Sequence, residues 1–307
     1  MKKNFNLFLI LAILVMLPLS SANFFDDFYG KITGKATSGT TTVNVTIGNA
    51  APTVPIVDAI DPTDPVISST ASITFYFNVT DTDGYANINT SSANASFSRT
   101  GEATRYNSSC APVFTPEAGN SVNFSCIIDM QYYDQNGAWT INATVQDINS
   151  ATGYNESTTF TYNLQTAMTM SPNALSWTGV GVTSTNTGAT ENPILINNTG
   201  NDEPLNIDVT TSDLQGNTTT TEYIYASNFT VENAADGCSG TAMVNGTATN
   251  VTSAILQRGD NSISAGDETS GQEQIYFCLK GVQTSPSISS QGYTSDLYGT
   301  WTVAIVT

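Results

Sequence analysis

Hydrophobic and polar residues alternate along short stretches of the chain from residue 41 onwards. In SITFYFNVT, residues 72–80, every second residue is apolar, and WTINATVQD, residues 139–147, behaves in the same way. Alternation with period two, built from β-branched and aromatic residues, is typical of strands that bury one face. The two apolar faces are Ile73, Phe75, Phe77 and Val79, and Trp139, Ile141, Ala143 and Val145. Since no convincing amphipathic helix pattern follows residue 22, the sequence predicts an all-β fold.

The first 22 residues follow a different pattern. Lys2 and Lys3 precede an apolar run over residues 7–17, and small residues lead up to Ala22. This order is typical of a secretory signal peptide, which we predict at residues 1–22 with cleavage after Ala22. The alternative is an uncleaved membrane anchor, but the run is shorter than the roughly 20 residues of a spanning helix. We therefore expect an extracellular or cell-surface protein that meets the membrane only if its signal stays uncleaved.

The remaining chain is long enough for two domains of ordinary size. We predict a spacer at residues 23–50, a first β-sandwich domain at 51–164 and a second at 165–307. Within the spacer, TTVNVTIGN at residues 41–49 alternates like a strand, with Val43, Val45 and Ile47 on one face. It precedes what looks like the start of a domain, so it is interpreted as an orphan strand. Such a strand pairs either within its own chain or with the sheet edge of a neighbouring molecule.

One motif resembles a known class of extracellular domain. The pattern Gly137-x-Trp139-x-Ile141-x-x-x-Val145-x-Asp147 resembles the penultimate strand of PKD, cadherin-like and other immunoglobulin-like domains. The resemblance implies immunoglobulin-like or jelly-roll-like sandwiches, with the tryptophan packed across the sandwich. It supports architecture rather than activity.

A shorter, similar motif, Gly299-x-Trp301-Thr302-Val303, lies near the end of the sequence. It indicates either an internal duplication or convergence on one way of turning into a strand. No further strand follows it in the sequence. We therefore expect either a different topology in the second domain or a sheet edge without a neighbour.

The balance of charge narrows the classes of partner and activity. The formal net charge is −18, only 11% of residues are charged and there is no histidine. Because a polyanion is repelled by such a chain, nucleic acid is excluded as a partner. Without histidine there is no Ser-His or Cys-His pair, and no carboxylate pair is flanked by aromatic signals of a sugar cleft. We predict that the protein is not an enzyme; a secreted hydrolase is the alternative.

Four cysteines in a secreted chain predict disulfides. Cys110 and Cys126 fall in the first predicted domain and Cys238 and Cys278 in the second, so the simplest connectivity is one bridge in each. Neither pair has the spacing of a zinc site.

Asn-x-Ser/Thr triplets are frequent, which makes the chain a candidate glycoprotein. In the strand stretches, Asn78-Thr80 and Asn142-Thr144 point away from the apolar faces, so they are predicted to face solvent. The alternative is that polar strand faces rich in Asn and Thr create such triplets by composition alone. The candidate asparagines are Asn44, Asn78, Asn89, Asn94, Asn107, Asn123, Asn142, Asn155, Asn197, Asn217, Asn228, Asn245 and Asn250.

Two further motifs suggest ligands weakly. Asp81 and Asp83 in DTDG are weak calcium candidates, but aspartates in a turn also cap their own backbone, and the EF-hand spacing is absent. No other cofactor is expected. GKITGKAT, residues 30–37, lacks the spacing of a phosphate loop. FYGKITGKAT resembles a stretch that follows the signal peptide in secreted cell-surface proteins of small-genome archaea, which suggests an archaeal source and a spacer or address role.

These patterns together predict a structural glycoprotein of the cell surface or envelope. It would act through contacts with other surface proteins or copies of itself, with assembly by strand addition as the sharper hypothesis. The alternative is an adhesin or glycan-binding module, stabilised by calcium, whose partners would be glycans.

Overall fold

A computed structural model describes residues 41–113, 119–235, 237–261, 271–284 and 287–307. The predicted signal peptide at 1–22 and the spacer up to residue 40, including FYGKITGKAT, lie outside the described residues. The chain divides into two compact units, residues 1–48 and residues 49–307. No helix in the described ranges is long and apolar enough to cross a membrane.

In the first unit, the described residues 41–48 form no strand. Val43, Val45 and Ile47 are 76%, 81% and 85% exposed. Among the described residues this segment therefore has no strand partner, and the orphan strand at 41–49, with both of its pairing alternatives, stays a prediction. An extended segment becomes a strand only when another backbone takes up its N–H and C=O groups.

The second unit begins with eight antiparallel strands around one hydrophobic core. They form two four-stranded sheets, β1-β2-β6-β5 and β4-β3-β7-β8. The strands are β1 Thr53–Val57, β2 Thr70–Thr80, β3 Ile88–Ser98, β4 Arg105–Asn107, β5 Ala111–Val113, β6 Ser121–Gln131, β7 Gly137–Asp147 and β8 Thr152–Tyr162.

The predicted alternation accounts for this first core. Both predicted apolar faces are buried, on β2 and on β7. Strands β2 and β6 pair without a break from Thr70↔Gln131 to Thr80↔Ser121. Trp139 is fully buried, and its Nε1 donates a hydrogen bond to the Gln135 carbonyl at 2.9 Å. A one-residue slip would move these apolar sets to the solvent face, so burial fixes the register.

Twelve shorter strands follow and surround a second hydrophobic core. The larger sheet has the order β16-β15-β18-β11-β9, with β10 also paired to β18; the smaller sheets are β17-β12-β20 and β14-β13-β19. The strands are β9 Met168–Ser171, β10 Thr185–Gly188, β11 Ile194–Asn198, β12 Leu205–Thr210, β13 Leu214–Gly216, β14 Tyr223–Ile224, β15 Phe229–Glu232, β16 Thr241–Ala242, β17 Ala248–Leu256, β18 Gln272–Gly281, β19 Tyr293–Thr294 and β20 Thr302–Val306.

The all-β class predicted from the sequence is confirmed, and the helical content of the described residues is limited to short 3₁₀ turns. Residues 49–307 form one compact unit that holds two hydrophobic clusters. The boundary between two domains at residue 164 stays a prediction.

A group of polar contacts joins the two clusters. Arg258, after β17, contacts Glu102 at 2.7 Å and Glu203 at 2.5 Å and donates to the Tyr133 carbonyl at 2.8 Å. The Asn201 side chain donates to the Asp134 carbonyl at 3.0 Å. Because these residues come from both strand groups, the junction holds the two cores against each other.

Candidate functional site: an open sheet edge and its groove

Strand β20 lies at the edge of its sheet. It pairs with β12 from Thr210↔Thr302 to Asn206↔Val306, and no other strand of the described residues pairs with it. In an edge strand, alternate N–H and C=O groups point away from the paired neighbour and remain available to another chain. Of the two outcomes expected for the C-terminal motif, the structure therefore has a sheet edge without a neighbour.

The side chains of β20 alternate as the sequence predicts. Val303 and Ile305 point towards the second core and remain partly exposed, whereas Thr302 and Ala304 face solvent. The turn before the strand is fixed by Ser212, whose hydroxyl donates to the Gly299 carbonyl and whose own carbonyl accepts a hydrogen bond from Trp301 Nε1 at 2.8 Å. These contacts hold the edge in a defined position.

A groove of about 830 Å³ opens beside this edge, with apolar side chains along its walls and polar side chains of residues 289–296 at one rim. Aromatic rings form much of its lining: Trp177 lies 4.9 Å from Phe229, and Phe229 lies 5.1 Å from Trp301, measured between ring centroids. Both tryptophan Nε1 groups are satisfied by backbone carbonyls, that of Trp177 by Thr187 at 3.0 Å. The remaining apolar lining is Met170, Ala174, Leu175, Val180, Val182, Ile194, Val209, Leu214, Ile224, Phe277, Leu279, Val282, Ile288 and Val303.

The second core is more open than the first. Of the described residues, two partly buried hydrophobic side chains pack against the first core, whereas twelve pack against the second. Trp139 is fully buried in β7, which has strand neighbours on both sides, β3 and β8. Trp301 precedes β20, which has one neighbour, and is only partly buried. Among the described residues, the second core is therefore less covered at β20 than the first core is at β7.

A hydrogen-bonded carboxylate organises one rim of the groove. Glu222 accepts hydrogen bonds from the Ser289 hydroxyl at 2.6 Å, the Ser289 amide at 2.8 Å, Tyr293 at 2.7 Å and Gln291 at 2.8 Å. The hydrogen bonds from Ser289, and then that from Tyr293, lower the pKa of Glu222 from 4.5 to about 2. Since Ser289, Gln291 and Tyr293 line the groove, ionised Glu222 keeps this rim in place.

The thirteen candidate glycosylation asparagines are all at least partly exposed. On β2 and β6, Asn78 and Asn123 lie opposite each other, and Asn78 Nδ2 donates to Asn123 Oδ1 at 2.7 Å. Asn142, on β7, donates to Glu156 at 2.6 Å. Asn78 and Asn142 lie on the solvent-facing sides of their strands, as their register predicts. Glycosylation itself stays a prediction.

The two weak calcium candidates, Asp81 and Asp83, both accept hydrogen bonds from the protein. Asp81 is buried; one carboxylate oxygen accepts the Asp83 amide at 2.8 Å and the other accepts Asn87 Nδ2 at 3.2 Å. Asp83 accepts the Ala50 amide at 2.7 Å. Across the described residues, no group of three or more Cys, Asp or Glu side chains is placed to hold a metal ion. Asp81 thus caps its own turn, whereas Asp83 binds the backbone at Ala50, and calcium binding stays a prediction.

Both predicted disulfides are present. Cys110 is bonded to Cys126 on β6, and Cys238 is bonded to Cys278 on β18. Each bridge lies within one strand group, so each ties a loop to a central strand.

The sequence did not reveal the groove. Trp177 comes from the connection between β9 and β10, and the rim comes from residues 288–296, which have no strong alternation. Only the Trp301 motif pointed to this place.

Comparisons with known proteins add little to this site. No protein-family model matches the chain, and no curated protein matches it. Among solved structures, the chain is similar to the secreted serine protease VesC from Vibrio cholerae, with 12% identity and a TM-score of 0.19. The match covers 75% of this chain and 46% of that chain, so this chain spans less than half of the protease. A likeness at that TM-score carries no argument about fold or activity.

Proposed function

We propose that this chain is an extracellular structural protein of the cell surface that assembles through protein–protein contacts at the open edge of β20. The observation that carries the proposal is the coincidence of an unpaired sheet edge with an apolar, aromatic-lined groove. An edge supplies backbone hydrogen bonds, and pockets beside it take alternate side chains of an added strand.

The edge lacks the usual protection against pairing. Proteins guard such edges with lysine, proline, bulges or inward-pointing charges. Residues 300–307, TWTVAIVT, contain neither a charged residue nor a proline. The whole chain has a net charge of −18, but this stretch is uncharged. A second acidic molecule can therefore approach it without bringing like charges together.

Three further features support an extracellular role. The N-terminal pattern is that of a signal peptide, both pairs of cysteines form disulfides, and the thirteen sequon asparagines reach the surface. The function relies on contacts rather than on chemistry, since the chain has no histidine. The intact mass of the native protein, measured on a cell-surface fraction, tests this part: it is expected to fit cleavage after Ala22 plus sugar. An unmodified, uncleaved chain in the cytoplasm would contradict it.

The assembly surface is tested by placing a charge on the edge. In Val303→Lys the lysine stem remains along the groove wall and its ammonium group reaches the groove mouth, where it opposes an incoming strand. Thr74→Lys is the matched control, because Thr74 is exposed on β2, which already has β1 and β6 as neighbours.

Light scattering over a concentration series measures the outcome on the chain from residue 23 onwards. The wild-type chain and Thr74→Lys are expected to assemble, and Val303→Lys is expected to stay monomeric. Circular dichroism melting shows whether Val303→Lys is folded. A wild-type chain that stays monomeric at every concentration, or a folded Val303→Lys that assembles normally, would overturn the proposal.

A further inference from the structure

We infer that the strand added at β20 is residues 41–48 of a second copy of this chain. The inference rests on the proposed function, which it makes more specific by naming the occupant of the groove. Each molecule then carries both a donor segment and an acceptor edge.

The donor segment has the pattern that the groove requires. Val43, Val45 and Ile47 alternate, so in an extended conformation all three side chains point to one face. Residues 43–47 then span about 13 Å at roughly 3.3 Å per residue, the same length as the five residues of β20. Three branched apolar side chains would pack along β20, beside Val303, which lines the groove, and beside Ile305, both of which are partly exposed without them.

The chemistry of the two surfaces also agrees. Residues 41–48, TTVNVTIG, carry no charge, and β20 is TVAIV. Of the described residues that line the groove, Asp296 alone is charged. Pairing therefore buries no ion and brings no two acidic groups together, although the chain as a whole is strongly acidic.

The sequon at Asn44 lies on the face of the donor segment that points away from the groove. Asn44 and Thr46 alternate with the apolar set and would point away from the groove. A glycan on Asn44 would then stand on the solvent side of the added strand, so modification and assembly are compatible.

The donor is available in the single chain. Its three apolar side chains are more than three-quarters exposed, and the segment forms no strand. Donor and acceptor are different surfaces, so the contact between copies is head-to-tail rather than self-complementary. Such contacts lead to a ring or to an open filament.

The test uses two neighbouring substitutions in the donor. Val45→Asp places a carboxylate on the face that enters the groove, whereas Asn44→Asp adds the same charge to the face that stays in water. We expect Val45→Asp to raise the concentration for half-assembly by at least about tenfold, because an unpaired charge would have to enter an apolar site. Asn44→Asp is expected to assemble like the wild type.

A peptide experiment identifies the partner surface. Fluorescein-labelled TTVNVTIG is titrated against the Val45→Asp chain from residue 23 onwards, whose own donor is impaired. Saturable anisotropy is expected, together with a change in tryptophan emission, because Trp177 and Trp301 line the groove. A peptide with the Val45→Asp change, and a Val303→Lys acceptor, are expected to show no binding.

The outcomes separate this inference from the proposed function. If Val303→Lys blocks assembly but Val45→Asp does not, the edge is used by another segment, and the inference is overturned while the function stands. The wild-type chain could instead be monomeric at every concentration while Val45→Asp differs from it in tryptophan emission. In that case the segment closes the groove of its own chain, and both proposals fail. Failure of the peptide to bind also overturns the inference.

Discussion

At the residue scale, two tryptophans show that the surrounding strands determine how far a side chain is buried. Trp139 and Trp301 stand in similar local sequences, and each donates its indole N–H to a backbone carbonyl. Trp139 is sealed between two sheets, whereas Trp301 remains partly exposed at a groove. The motif predicted a strand that follows a turn in both places. The resemblance implied that Trp139 packs across the sandwich, but the shorter motif did not predict how far Trp301 is buried, since burial depends on strands contributed from elsewhere in the chain.

Glu222 provides a pH prediction at this scale. Its pKa in the folded chain is lowered to about 2 from 4.5, mainly by hydrogen bonds from Ser289. A lowered folded-state pKa gives a contribution that is fully present above about pH 4.5 and is lost as the pH falls through about 2. We therefore expect the melting temperature of the wild type to fall more than that of Glu222→Gln between pH 4.5 and 2.

Circular dichroism melting from pH 7 to 2 measures this difference. Glu156→Gln is the control, because Glu156 is an exposed carboxylate on β8, away from the groove. A Glu222→Gln curve parallel to the wild type over this range would contradict the role of the carboxylate in holding the rim.

At the scale of elements, the long strands follow from the sequence and the short ones do not. Strands β2, β6 and β7 have eleven residues each and alternate strictly, so pattern alone places them. Strands β14, β16 and β19 have two residues each, which is too short for an alternation to be recognised in the sequence. The predicted strand at 41–49 alternates as well as any of these. It is unpaired because alternation describes which face is apolar, not whether a partner backbone is present.

The junction between the two strand groups gives an element-scale prediction. Arg258 is mostly buried, at 19% side-chain exposure, and links Glu102 to Glu203. Arg258→Ala leaves two carboxylates close together without their cation, and we expect a loss of about 2–4 kcal/mol in the free energy of unfolding. The two cores should then unfold in separate transitions rather than one.

Differential scanning calorimetry distinguishes these cases. Lys280→Ala removes a positive charge from an exposed position on β18 and serves as the control, with an expected change below about 0.5 kcal/mol. One unchanged transition in Arg258→Ala would show that apolar packing alone joins the cores.

For the whole molecule, charge opposes the assembly proposed at the open edge. Copies with a net charge of −18 repel one another in dilute salt. Raising the ionic strength from about 0.01 M to about 0.15 M shortens the Debye length from about 30 Å to about 8 Å. We expect the concentration for half-assembly to fall as salt rises over this range.

Light scattering at matched concentrations measures the salt effect. Potassium chloride is suitable, since it screens charge without the strong exclusion from protein surfaces shown by sulfate. Assembly that weakens with added salt would indicate that ion pairs, rather than an uncharged strand, join the copies.

If another copy binds in the open groove, the stability of the second core depends on the protein concentration. A ligand that binds only the folded state stabilises that state by mass action, and here the ligand would be another copy. Dilution would then act on the second core as a mild denaturant, and in Arg258→Ala, where we expect the two cores to unfold separately, only the transition of the second core would shift with concentration. The second core would therefore reach its full stability only when a neighbouring copy is bound.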